Sequence, residues 1–106
     1  MLVDNLFDRI PAQLPEEITQ TLLSASGIRI ERIVSRGHAS PDGFWYDQPE
    51  HEWVLLLAGE AGLELEGEPV RSLKPGDFLL LDAHRKHRVV WTKADANTIW
   101  LAVFFS

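Results

Sequence analysis

The first 27 residues of the chain are patterned differently from the rest. Pro11 and Pro15 interrupt the start, and the run from Glu16 to Ser26 then leads to Gly27. Glu16 and Glu17 suit the positive end of a helix, and glycine is a common stop, so this segment predicts one short helix ending near Gly27. From Ile28 onward the apolar residues come in short β-branched and aromatic blocks: 28–34, 52–58, 62–67, 69–73, 78–82, 87–92 and 98–105. Gly, Pro, Asp and Asn turn signals divide them. So many short strands in so little chain predict an all-β sandwich or barrel.

Strand side chains point to opposite faces in turn, so the alternation assigns faces. In Gly62–Gly67, Leu63 and Leu65 face inward while Glu64 and Glu66 face water. The blocks at 52–58 and 99–105 are instead apolar on both faces. An open antiparallel sheet would leave one of those faces wet, so a second covering is expected. A homodimer is the preferred cover, and the N-terminal segment folding back is its competitor.

Composition narrows the functional classes. A chain of 106 residues with 45% apolar content forms one compact domain with its own core. Cysteine is absent, which removes disulfides, thiol catalysis and zinc–thiolate sites and is compatible with a reducing cytoplasm. A formal charge of −6 disfavours nucleic acid and anionic membranes as partners. Asp4, Asp8 and Glu16 break the order of a signal peptide. No apolar run approaches the ~20 residues of a membrane span. A soluble, cytoplasmic protein acting on a small molecule is therefore expected.

Two stretches carry candidate chemistry. In the first, Glu52 is followed by Gly59 across an apolar block; in the second, Lys74-Pro75-Gly76-Asp77 precedes the Phe78–Leu81 block, and His87 comes shortly after. Pro-Gly makes a tight turn between strands. His87 is in phase with Val89 and Trp91, which predicts that it points into the barrel. No metalloprotease helix, phosphate loop or nucleophile elbow is present, and the serines lack a patterned His and carboxylate, so triad hydrolysis is not expected.

From about Gly43 to Val103 these motifs resemble the cupin family, and the run from Ser35 to Gly62 resembles small bacterial single-domain cupins. The resemblance implies an antiparallel β-barrel of the double-stranded β-helix, or jelly-roll, kind over residues 28–106. Residues 1–27, with the short helix, would pack on it. It also implies that Glu52 and His87 converge on a divalent metal inside the barrel. The sequence departs from the family at the early His-x-His pair, whose places fall on Tyr46 and Gln48, or on Trp45 and Asp47. The family's later Asn falls on Trp91.

Several ligand sets follow from this. Glu52, His87 and Gln48 are the expected metal ligands, with His51 and His84 in reserve, and such oxygen and nitrogen donors suit Fe, Mn, Ni or Zn. His51 would need a bulge to reach the site, being next to Glu52 in sequence. Trp45, Tyr46 and Trp91 are candidates to wall a pocket for a flat or apolar molecule. The leading expectation is a metal-supported cupin that senses or transforms a small organic molecule, by dioxygenation, isomerisation or decarboxylation if it is an enzyme. A metal-free binding module and a metal-free general-base enzyme are the alternatives.

Overall fold

The computed structural model describes residues 1–106. Its elements are β1 (Ile18–Ala25), β2 (Ile28–Ser35), β3 (His51–Ala58), β4 (Ala61–Leu65), β5 (Arg71–Leu73), β6 (Phe78–Leu81), β7 (His87–Thr92) and β8 (Thr98–Phe105). A five-stranded sheet in the order β1-β2-β8-β3-β6 faces a three-stranded sheet in the order β5-β4-β7. All pairings within the two sheets are antiparallel. The inner faces meet in a core of Val54, Leu56, Ala61, Leu81 and Trp100. Leu56 and Leu81 are fully buried, each contributing about 1.5–3 kcal/mol by leaving water.

The helix expected before Gly27 is a strand. Residues 18–25 pair with β2, from Ile18 opposite Val34 to Ala25 opposite Ile28. Thr19 and Thr21 place β-branched side chains on the inner face, opposite Ile33 and Glu31. Gly27, at φ 76°, closes a two-residue hairpin turn with Ser26 and does not cap a helix. Pairing with a strand that is already half of a sheet outweighs a weak local helical preference.

The large sheet also has an apolar outer face, and the N-terminal segment covers part of it. Arg32 lies there, opposite Leu101, and is 5% exposed. Its guanidinium donates to the carbonyls of Leu6 at 3.0 Å and Asp8 at 2.6 Å. The charge therefore fastens the first residues across the sheet. Towards the β6 edge the face is open, with Phe78 and Leu80 exposed. No helix in the structure is long and apolar enough to cross a membrane.

Candidate functional site

The barrel interior contains a cavity of about 260 Å³ whose wall is mostly apolar, with Tyr46, Gln48, Glu52 and His87 together at one end. Strand register explains that arrangement. Across the large sheet, Arg29 lies opposite Phe104, Phe104 opposite Glu52, and Glu52 opposite Leu81. One step deeper, Glu31 lies opposite Ala102 and Ala102 opposite Val54. Ile33 and Trp100 form the next row. From the small sheet, His87 and Val89 sit opposite Leu65 and Leu63 and close the other wall.

Glu52 and His87 face each other at the polar end. Both are buried, and His87 Nε2 stands 3.5 Å from Glu52 Oε1, the length of a long ion-pair contact and at the outer limit of hydrogen bonding. The other ring nitrogen, Nδ1, is 2.8 Å from the Arg85 carbonyl. A carbonyl only accepts, so Nδ1 carries a hydrogen and Nε2 is the nitrogen presented to Glu52. Burial alone would lower the His87 pKa. The Glu52 hydrogen bond, the Arg85 carbonyl and the Glu52 charge outweigh it, and the pKa is raised above 6.5.

The loop from Tyr46 to Gln48 completes this end. Tyr46 and His87 exchange backbone hydrogen bonds of 2.8 and 3.1 Å, and the amide of His84 donates to the Gln48 carbonyl at 2.7 Å. Held in this way, Gln48 Nε2 donates to Glu52 Oε1 at 3.1 Å. The Tyr46 ring stacks on His87 with centroids 5.5 Å apart. Burial, followed by the charges of Glu17 and Glu52, raises the Tyr46 pKa, so the phenol keeps its proton.

The other candidates lie elsewhere. His51 points away from the cavity: its Nδ1 accepts from the Ala83 amide at 3.0 Å, and its ring packs on Phe105. His84 is exposed, takes a left-handed φ of 61°, and places Nδ1 2.8 Å from Asp47. Trp45 lies under the Arg88 guanidinium on the outer side of the small sheet, 4.9 Å from ring to cation. Trp91 does not share the inward direction of His87 and Val89. A register shift between Gly62 and Leu63 brings Gly62 opposite Trp91, and the extra residue of such a bulge reverses the alternation. The indole instead covers Gly62, where an added Cβ would lie 2.2 Å from Trp91 Nε1.

Three polar lining residues lie outside the site candidates that the sequence offers. Glu17 and Thr19 reach the cavity from the segment expected to be helical, and Glu31 enters from β2. The phase of Glu31 with Ile33 could have revealed it, since both alternate onto one face. Trp100 and Phe104 contribute inner-face aromatic surface.

The donor set does not fit a resident metal. Catalytic zinc sites, for example, take three protein ligands, whereas here the strong donors that meet are the Glu52 carboxylate and one His87 nitrogen. Gln48 turns its amide NH2 to Glu52, which is a donor's orientation and not a ligand's. No group of three or more His, Asp or Glu side chains is arranged to hold an ion.

The cupin domain model matches residues 34–104. This chain belongs to the cupin family. A crystal structure from Ralstonia eutropha, described as a "putative mannose-6-phosphate isomerase", is 48% identical, with 100% of this chain and 99% of that chain covered and a TM-score of 0.96. An RmlC-like cupin with a double-stranded β-helix fold from Methanocaldococcus jannaschii is 16% identical, with coverage of 92% and 86% and a TM-score of 0.71. A cupin superfamily protein from Desulfitobacterium hafniense is 18% identical, with coverage of 91% and 83% and a TM-score of 0.74. No curated protein matches the chain. Cupin architecture thus accounts for the double-stranded β-helix, and the relatives of low identity speak to that fold alone.

Proposed function

We propose that this cupin binds a small organic molecule in its barrel, without a resident metal, using Glu52, His87, Gln48 and Tyr46 as the polar anchor. The observation that carries this reading is the cavity itself: a mostly apolar chamber of about 260 Å³ at one end of which Tyr46, Gln48, Glu52 and His87 stand together. Ligand sites combine apolar walls with a few placed polar groups in this way. The volume is below the ~300 Å³ at which drug-sized sites begin, so the ligand is small.

The description of the Ralstonia eutropha protein points to a phosphorylated sugar, but this cavity does not favour one. Its lining includes Glu17, Glu31 and Glu52 and has no lysine or arginine. Phosphate recognition relies on guanidinium, ammonium or backbone donors. A dianion placed here would meet carboxylates.

Saturation-transfer NMR with a library of small fragments tests the reading on the wild type and on Val89→Trp, which fills the chamber from the small sheet. Circular dichroism checks that the variant keeps its fold. Fragments that bind the wild type and are lost in the variant support an interior site. If every bound fragment is insensitive to Val89→Trp, the interior is not a ligand site.

A further inference from the structure

The charge around the cavity is one-sided. Glu17, Glu31 and Glu52 line it, and His87 is the only lining side chain that can carry a positive charge. The neighbours of the three carboxylates differ. Glu17 accepts from the Ser35 hydroxyl, which leaves its charge uncompensated. Glu31 receives Arg29 Nε at 2.8 Å on Oε2. Glu52, only 8% exposed, takes both of its contacts, from Gln48 and His87, on Oε1. Its second oxygen has no protein donor and is not among the polar atoms sealed inside the protein, so it is open to a positively charged or hydrogen-donating partner.

Aromatic faces adjoin these carboxylates. Tyr46, Trp100 and Phe104 line the same space, and ring faces attract cations. The barrel rim already holds one such complex. The Arg29 guanidinium lies 4.4 Å from the centre of the Phe104 ring while bonding Glu31 and, at 3.1 and 3.2 Å, Glu50. Two carboxylates therefore occupy this arginine, which leaves it poorly placed to neutralise an incoming anion.

We propose that the cavity selects small organic cations, of the ammonium or amidinium class, over neutral and anionic molecules of similar size. The cation would sit against the aromatic wall with its charge towards Glu31 and the free oxygen of Glu52. This assignment rests on the interior being a small-molecule site and adds the ligand's charge to it.

Binding of three probes to the full chain tests the proposal: choline, its uncharged isostere with carbon in place of nitrogen, and inorganic phosphate. Saturation-transfer NMR and calorimetry are the readouts. Choline should bind about tenfold or more tightly than the isostere, the scale of a desolvated cation on an aromatic face. Glu31→Gln should weaken choline and leave the isostere unchanged, and Glu52→Gln should weaken choline by more than it weakens the isostere; Glu31, the less buried of the two, serves if the Glu52 variant fails to fold. If the isostere or phosphate binds as tightly as choline, the charge preference is wrong and the small-molecule site stands. If none of the three binds while library fragments still enter the cavity, the charge preference alone is again overturned. Absence of binding by the probes and by every fragment overturns both.

Discussion

Tyr46 and His87 are joined twice, through a reciprocal pair of backbone hydrogen bonds and through rings stacked 5.5 Å apart. The first tie places the Tyr46–Gln48 loop beside β7, and the second covers the imidazole. Together they bring a loop residue and two strand-start side chains, the Glu52 carboxylate and the His87 imidazole, to one end of the barrel. Positioning by backbone pairing limits the reorganisation needed when a ligand arrives.

His87 should titrate above 6.5, the ordinary histidine value. Burial pulls its pKa down, and the attraction of Glu52 with the Arg85 carbonyl pulls it up by more. Removing the carboxylate charge in Glu52→Gln should therefore lower the pKa relative to the wild type. NMR titration of the ring protons measures both. Because the folded state holds this proton more tightly than the unfolded chain, the stabilisation from His87 is complete below about pH 6.5 and is lost as pH rises through the folded value. An increase in that contribution with rising pH would contradict the arrangement.

Much of this barrel was legible in residue alternation because seven of its eight strands bury one face against a common core. The strand around Glu52 and the strand after Pro75-Gly76 were found by their apolar blocks and turns. The first strand was not, since Glu16 and Glu17 after Pro15 imitate a helix start and nothing local reveals the pairing of Thr19 with Ile33. Two lining residues, Glu17 and Thr19, were hidden by that reading. Trp91 illustrates a different limit: its parity with His87 is correct in the sequence, but one bulge residue reverses the face it occupies.

Replacing Trp91 and Tyr46 should separate these roles. Trp91→Phe should leave the affinity of cavity ligands unchanged within about twofold, because Trp91 lies outside over Gly62. Tyr46→Ala should weaken them by about tenfold, a loss of the order of one aromatic contact. Titration of any fragment that enters the wild-type cavity gives both values. Equal losses would mean that Trp91 reaches the interior.

Metal content gives another direct check on the donor set. Protein purified without an affinity tag or chelator should carry well below one equivalent of Fe, Mn, Ni or Zn, and chelator should not shift its melting temperature. Two strong protein ligands, Glu52 and His87, are one short of the three that catalytic zinc sites use. Near-stoichiometric metal in the wild type that disappears in His87→Ala would show that another donor completes the site.

The outer face near β6 carries an expectation about assembly. Phe78 and Leu80 are 65% and 53% exposed on the edge strand, and Leu80 lies opposite Trp53 while Leu55 lies opposite Phe78. Leu101 and Val103 continue the strip across β8. Arg32 and the first residues cover the face only towards β2. A second copy is the occupant we propose, since an edge with a continuous apolar strip can meet its own twofold image and bury the strip on both copies at once. The chain should sediment as a dimer at micromolar concentration, and Leu80→Lys should shift it towards monomer by placing an ammonium in the apolar contact. Because Leu80 points away from the cavity, that variant should keep its fold and its ligand affinity. A wild type that remains monomeric at all concentrations would leave the strip without this partner, and a dimer unaffected by Leu80→Lys would place the contact on another face.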